Sequence, residues 1–199
     1  MNRKIPSALL LLAAGMLSAG CVSARTGTAE PAMVPTTPAP PTALAPKVPK
    51  QLDASHLVNS PCDALTASQL SGLDPTLGSV SGTNASDPLG AACGWSSPDL
   101  SQAINISFAT AAPDGLDQIY SEHPYMAYWQ PMVIDGYPAV AASQYDARPD
   151  GSCVVNAGVN DHLYFFAEFM TFNTTQQPES CALAARAAGD VITNLRGGN

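Results

Sequence analysis

The sequence predicts an α+β fold in which an antiparallel sheet packs against helices. Apolar and polar residues alternate over residues 104–109, which is the period of a half-buried strand. Asp135-Gly136 separates two apolar runs and is typical of the tight turn of a β-hairpin. Apolar side chains recur at every fourth position from Leu183 to Leu195, which predicts one buried stripe along a helix. These patterns together indicate a single mixed domain with one shared core.

The predicted domain begins with helical segments at Ser60. Ser60-Pro61-Cys62-Asp63 is typical of a helix start, because a capping Ser is followed by Pro and then by an acid. Thr66-Ala67-Ser68-Gln69 has the spacing of a capping box, so we expect a short helical region that ends near Leu70. Residues 74–92 are rich in Gly, Ser, Asn and Pro and predict a loop.

Strands are expected next, at residues 93–96 and 104–109. Asp114 is placed to cap a helix that runs to His123, and Pro124 would end that helix. The following strands form two hairpins. The first turns at Asp135-Gly136, and the second joins residues 152–159 to residues 163–172.

The last predicted strand is apolar on both faces, with Phe165 and Phe169 on one and Tyr164 and Phe166 on the other. This pattern indicates a central strand that helices cover on at least one side. A final helix is predicted over residues 178–195, with Gly197 as its C-cap.

The first 20 residues have the pattern of a secretory signal peptide. Arg3 and Lys4 precede an apolar run over residues 5–17, whose roughly 13 residues are too few to cross a bilayer, which takes about 20. Small residues lead directly to Cys21, as in a bacterial lipobox, although Leu17 lies one position further from the Cys than is usual. We therefore expect Cys21 to be lipidated, with palmitate among its acyl chains, and to become the first mature residue.

Ordinary cleavage after Ala24 is the alternative, because Val22-Ser23-Ala24 is a small-x-small site that would release a secreted soluble protein. The chain contains five Cys, at positions 21, 62, 93, 153 and 181. Either route leaves four of them for two disulfides, as expected in an oxidising compartment. The cysteine count therefore does not choose between the two routes.

Residues 21–59 are predicted to be a disordered tether rich in Pro, Ala and Thr. Large apolar side chains are sparse there, so little burial would offset the entropy of ordering. The single globular domain is predicted over residues 60–199. Thr residues among the prolines also raise the hypothesis of a glycosylated stalk.

Four cysteines allow three pairings. Cys62 and Cys181 both lie at the starts of predicted terminal helices, while Cys93 and Cys153 both lie in predicted strands. On this basis we expect the disulfides Cys62–Cys181 and Cys93–Cys153.

Several motifs occur in a distinctive order around these cysteines. A signal that ends at Cys21 and a Pro/Thr-rich tether come first, followed by Pro61-Cys62-Asp63-Ala64-Leu65-Thr66, Cys93-Gly94-Trp95, Asp135-Gly136-Tyr137-Pro138-Ala139-Val140, Cys153 and Cys181-Ala182-Leu183-Ala184. Over about residues 58–196 the chain resembles the actinobacterial lipoproteins of domain-of-unknown-function family 3558. The resemblance implies an envelope lipoprotein and carries over no catalytic residue. The organisation is also similar to small envelope domains of a PsbP/Mog1-like fold.

Charge and motifs exclude several classes of function. The net charge is −8, and only Arg148, Arg186 and Arg196 are basic after Ser60, so neither nucleic acid nor anionic lipid headgroups would find a basic cluster. No nucleophile elbow, P-loop, Rossmann or zinc-protease pattern is present, so we expect no enzyme activity, no cofactor and no metal.

The candidate binding patch is aromatic. Tyr120, Tyr125, Tyr128 and Trp129 surround His123 and Pro124, and amphipathic aromatic side chains suit contacts with sugars, lipids or a partner surface. Two functions follow as hypotheses. The first is a non-enzymatic envelope module that binds a partner protein or a cell-wall component. The second is a carrier of a lipid or other apolar ligand between the sheet and its helices.

Overall fold

The computed structural model describes residues 44–172 and 179–197, which form a seven-stranded antiparallel sheet with helices. The predicted α+β fold is confirmed. The strands are β1 (Thr83–Asp87), β2 (Gly90–Ser96), β3 (Gln102–Phe108), β4 (Tyr128–Ile134), β5 (Tyr137–Ser143), β6 (Ser152–Asn160) and β7 (Leu163–Thr171). Their order across the sheet is β1-β2-β3-β7-β6-β5-β4. The signal peptide and Cys21 lie outside the described residues.

Four α-helices accompany the sheet in the described part of the chain: α1 (Ser55–Asn59), α2 (Ala67–Leu73), α3 (Leu116–Ser121) and α4 (Ser180–Gly197). The helix predicted from Ser60 is a 3₁₀ turn over Pro61–Ala64, and the Ser60 side chain does not cap it. The helix expected from Asp114 begins at Leu116, after Gly115. None of the helices that the structure describes is long and apolar enough to span a membrane.

Strand β7 occupies the centre of the sheet, as its two apolar faces predict. Phe165 and Phe169 project from one face and are fully buried. Helix α4 packs across β6 and β7 on that face and contributes a buried stripe. The stripe consists of Ala184, Ala187, Ala188, Val191, Ile192 and Leu195. These contacts form the main core of the domain.

The capping box at Thr66 is confirmed and also connects α2 to α4. The Thr66 hydroxyl accepts a hydrogen bond from Gln69 N–H, and the Gln69 side chain accepts one from Thr66 N–H at 2.8 Å. The same Gln69 amide exchanges hydrogen bonds with the buried Asn194 side chain, which donates to the Ala64 carbonyl at 2.9 Å. A local capping signal therefore contributes to tertiary packing.

The hairpin at Asp135-Gly136 is also confirmed. Strands β4 and β5 pair along their full lengths, and Ile134 faces Tyr137 beside the turn. Both turn residues have positive φ, 51° at Asp135 and 87° at Gly136, as a type I′ turn requires.

The loop predicted over residues 74–92 is wrong in part, because β1 and the first residues of β2 lie within it. Strand β1 has the sequence Thr-Asn-Ala-Ser-Asp and pairs only with β2, at the edge of the sheet. An exposed edge strand buries little, so it shows no apolar alternation in the sequence.

The boundary between tether and domain at residue 59/60 is also wrong. Leu57 is fully buried, and Leu52 and Ala54 are nearly so. Leu52 N–H donates to the Val159 carbonyl at 2.8 Å, which attaches the incoming chain to the end of β6. The sequence did not predict that this segment belongs to the domain. It lies next to Pro-rich sequence, and it packs through a few small and apolar side chains that show no regular periodicity.

The cysteines pair as Cys62–Cys93 and Cys153–Cys181, so the predicted Cys62–Cys181 and Cys93–Cys153 pairs are wrong. Cys93 lies on β2 and Cys153 on β6, and β3 and β7 separate these strands. Three strand spacings amount to about 14 Å, well beyond the roughly 7 Å between Cα atoms that a disulfide spans. Each disulfide instead joins a helical segment to the strand beneath it.

Candidate functional site

The two faces of the sheet differ in how completely they are covered. The face beneath α4 is filled by the main core. On the opposite face, α3 covers only one end, where Leu116 and Ile119 pack against Val140, Ala142 and Tyr164 in a second, smaller cluster. Beyond α3 no other described helix covers this face, and a concave surface lies there.

A groove of about 350 Å³ lies on this face. Strands β5, β6 and β7 supply its floor: Ala142, Val154, Asn156, Tyr164, Phe166 and Glu168. Helix α3 and the 3₁₀ turn that follows it form one wall, with Gln118, Ile119, Glu122 and Met126, and Leu89 lies at the far side. The volume is at the lower end of the range for small-molecule sites, about 300–1,000 Å³.

Three polar side chains of the groove have well-defined positions. The amide of Asn156 is 4% exposed, and its Nδ2 donates to the Val140 and Ala142 carbonyls. The Glu168 carboxylate accepts a hydrogen bond from the Ser152 hydroxyl at 2.9 Å. The Glu122 carboxylate accepts from the Gln118 side chain at 2.7 Å and from the Gln144 side chain at 3.4 Å. The polar lining is therefore held in place by hydrogen bonds to uncharged groups.

An aromatic cluster flanks the groove. The ring of His123 stacks on Trp129 with a centroid separation of 4.2 Å, and Tyr120 meets Trp129 edge-on at 4.9 Å. Trp129 pairs across the strands with Ala142, a residue of the groove floor. Burial raises the pKa of Tyr120 above its usual value. The cluster therefore continues the apolar surface of the groove to the edge of the sheet.

The predicted patch is brought together only in part. Tyr120 and Trp129 are in contact, and Tyr125 is 75% exposed on the 3₁₀ turn between α3 and β4. Tyr128 belongs to the opposite face, where it is 6% exposed and packs in the main core, so its inclusion in the patch is wrong. Neighbouring residues of a strand point to opposite faces, and Tyr128 is therefore turned away from Trp129.

Tyr128 has a structural environment of its own. Its hydroxyl accepts a hydrogen bond from Val154 N–H at 3.0 Å, and the guanidinium of Arg148 lies 4.2 Å from its ring centroid. Arg148 is in turn paired with Asp146. Burial is the main cause that raises the pKa of the Tyr128 phenol.

The groove residues themselves were not predicted from the sequence. Glu168 carries the clearest signal that was available, because it is the one acid in a strand that is otherwise apolar on both faces. An acid in such a strand must reach solvent or a partner at that point. Asn156 is the corresponding polar residue of β6 and lies on the same face.

Other titratable groups do not converge. His56 lies in α1, His123 stacks in the aromatic cluster, and His162 contacts the Pro113 carbonyl at 3.2 Å. Among residues 44–172 and 179–197, no group of three or more His, Cys, Asp or Glu side chains is placed to hold a metal ion. A second hollow, of about 520 Å³, lies beside the incoming chain, where Lys47 pairs with Asp117 at 3.5 Å.

Comparison with known proteins gives a family and no close relative. No curated protein matches the chain, and no solved structure matches it. A family model described as "Protein of unknown function (DUF3558)" matches residues 16–194, which is most of the sequence. The chain therefore belongs to the DUF3558 family.

Proposed function

We propose that this chain is an actinobacterial cell-envelope lipoprotein whose domain is a non-enzymatic binding module. The lipobox-like sequence ending at Cys21 supports attachment to the extracytoplasmic face of the membrane through an N-terminal lipid. The Pro-rich residues that follow support display of the domain away from that membrane. Two disulfides suit an oxidising compartment outside the cytoplasm.

The observation that carries the binding role is the unequal covering of the sheet. One face is filled by α4, whereas the other presents the groove with the aromatic cluster beside it. A concave surface with an apolar floor and a few fixed polar groups is the general form of a ligand site.

The carrier hypothesis remains a second candidate because the groove floor is apolar where Ala142, Val154 and Phe166 line it. Between the sheet and α4, by contrast, side chains such as Phe165, Phe169 and Val191 are fully buried against one another. A carried apolar ligand would therefore occupy the groove on the α3 side.

Lipid attachment is tested by labelling cells with an alkyne analogue of palmitate. We expect the full chain to incorporate the label and the Cys21→Ala variant to lose it together with membrane retention. Equal labelling of both chains, or release of the unaltered chain after cleavage at Ala24, would show that Cys21 is not the attachment site.

The binding role is tested by photocrosslinking in intact cells, with a photoreactive amino acid at the exposed Leu89 on the groove or at the exposed Ala182 on α4. We expect a defined adduct from position 89 only. Val154→Trp, which fills the groove, should abolish it, whereas Val133→Trp on exposed β4 should not. An adduct that forms equally from position 182, or that survives Val154→Trp, would contradict a binding role for the groove.

A further inference from the structure

We infer that the groove on the α3 side of the sheet binds a small organic cation, an ammonium or guanidinium group on an apolar body. This inference rests on the proposed function and names the chemical class of its ligand. It follows from three properties of the groove: the hydrogen-bonding capacity of its polar groups, carboxylates that form no ion pair among the described residues, and its apolar floor.

The polar groups of the groove are arranged to accept hydrogen bonds. Asn156 uses its Nδ2 on two strand carbonyls, and its Oδ1 has no donor among the residues that the structure describes. The Glu168 and Glu122 carboxylates add further acceptor oxygens. One N–H of the Gln118 amide is used by Glu122. Acceptor oxygens of two carboxylates and one amide are thus concentrated in this lining, and they favour a ligand that brings its own donors.

Within the part of the chain that the structure describes, Glu168 lies in the groove and forms no ion pair. It is half-buried, and its cross-strand neighbours are Asn105 on β3 and Val154 on β6, which are both neutral. Its one described side-chain partner is the Ser152 hydroxyl. A carboxylate that is partly removed from water is stabilised strongly by a charged donor, and hydrogen bonds to charged groups are about twice as strong as neutral ones.

The wall of the groove that α3 forms presents a second carboxylate with neutral partners. Glu122 is half-buried and is held by two neutral amides, from Gln118 and Gln144. None of the described side chains that line the groove is basic. The chain as a whole has 16 acidic and 8 basic residues, so the surrounding field also favours a cation over an anion.

The apolar part of the ligand is assigned to the floor. Phe166 and Val154 are half-buried on this face, and Ala142 and Tyr164 are buried behind them. A volume of about 350 Å³ accommodates a ring or short chain together with its charged group. The ligand class is therefore a small amphipathic cation.

The test uses three water-soluble probes with the same aromatic body: phenethylammonium, phenethyl alcohol and 3-phenylpropionate. Binding to the full chain in detergent is followed by NMR of labelled methyl groups. Met126 and Ala142 report on the groove, and Ala184 beneath α4 is the internal reference. We expect saturable shifts at Met126 and Ala142 with phenethylammonium, binding about tenfold weaker with the alcohol, and none with the carboxylate.

Matched substitutions assign the effect to the carboxylate. Glu168→Gln keeps an acceptor for Ser152 and removes the charge, so we expect it to weaken phenethylammonium binding about tenfold and to change alcohol binding less than twofold. Glu179→Gln makes the same change on the exposed residue before α4 and should leave both affinities unaltered. Conserved shifts at Ala184 verify that each variant is folded.

Three results would overturn the inference: the alcohol binding as tightly as the ammonium, Glu168→Gln behaving like Glu179→Gln, or no groove shift with phenethylammonium. The first favours an apolar carrier. If crosslinking at position 89 succeeds while cation selectivity is absent, the binding role stands and only the ligand class is wrong. Cation selectivity without any adduct in cells would contradict the envelope role alone.

Discussion

The Tyr128 hydroxyl accepts a hydrogen bond from the backbone N–H of Val154 at 3.0 Å, although the two residues lie on strands that are not neighbours. Tyr128 is on the edge strand β4, and Val154 is on β6, with β5 between them. The β5–β6 ladder runs from Ala139 to Ala141 on β5, so it stops before the position that would face Val154. The Tyr128 phenol oxygen thus accepts the hydrogen bond from Val154 N–H at a position where the β5–β6 ladder has ended.

We expect Tyr128→Phe to lower the free energy of unfolding by about 1 kcal/mol, because it removes one partner of a partly buried N–H group. Amide exchange at Val154 should accelerate, while exchange at Val155 in the continuing ladder should change little. Tyr145→Phe, at a tyrosine that is 80% exposed, is the control and should be neutral. Unchanged exchange at Val154 would show that the phenol does not protect this amide.

The two disulfides are expected to contribute almost equally to stability. They join residues 31 and 28 positions apart, and in the chain-entropy model loops of this length stabilise by about 3–4 kcal/mol each. Replacing either pair by Ala should therefore lower the free energy of unfolding by similar amounts in chemical denaturation. Non-reducing peptide mapping should recover Cys62 with Cys93, and a peptide joining Cys62 to Cys181 would contradict the structure.

Asn194→Ala should destabilise the domain by about 2 kcal/mol. The substitution leaves the Ala64 carbonyl and the Gln69 amide without their buried partner and also opens a small cavity. Thr193→Ala, at the adjacent exposed position of α4, is the control and should change the stability by less than about 0.5 kcal/mol. Equal losses for the two variants would show that the Gln69–Asn194 pair does not stabilise the contact between α2 and α4.

Asp190 should make stability depend on pH. Burial raises the pKa of its carboxyl above the ordinary 3.8, with Asp135 adding to the shift and Arg186 opposing it. The unfolded chain therefore releases this proton more readily than the folded domain. The protonated carboxyl consequently favours the folded state, and the ionised carboxylate does not. Its contribution is lost as pH rises from about 3.8 through the native pKa, and it stays lost at neutral pH.

Asp190→Asn is consequently expected to raise the Tm by about 1–2 °C at pH 7 and to leave it unchanged near pH 3. Asp63→Asn removes the same charge from an exposed site and controls for the change in net charge. Thermal unfolding of the three chains at both pH values gives the comparison. A gain that persists at pH 3 would mean that the effect does not come from ionisation of Asp190.

Elements specified by local chemistry could be predicted from the sequence. The Asp135-Gly136 turn follows from the positive φ that these residues tolerate, and the capping box follows from the spacing of Thr66 and Gln69. The central position of β7 follows from its two apolar faces. In each case the residues near one another in the sequence are sufficient to define the structure.

Features that depend on strand order could not be predicted in the same way. The disulfide pairing requires knowing that β3 and β7 separate Cys93 from Cys153. The orientation of Tyr128 depends on which of two adjacent aromatic residues faces the core. The groove combines residues from α3, β5, β6 and β7, and Glu168 becomes distinctive only when its neutral neighbours are known.

The attachment of residue 45 gives the domain a mechanical property. Ala45 N–H donates to the Asp117 carboxylate at 2.6 Å, and Asp117 belongs to the same helix as the groove-wall residues Gln118 and Ile119. A pull applied to the chain at residue 44 is therefore transmitted to the groove wall before it reaches the bond between Leu52 and Val159. If the chain unfolds progressively from residue 44, the Cys62–Cys93 disulfide is the first covalent link that stops it. Roughly 60 Å of extended chain is released before that point. Strands β5, β6 and β7, which form the groove floor, come after Cys62 in the sequence. Tension is therefore expected to loosen one wall of the groove and to leave its floor intact.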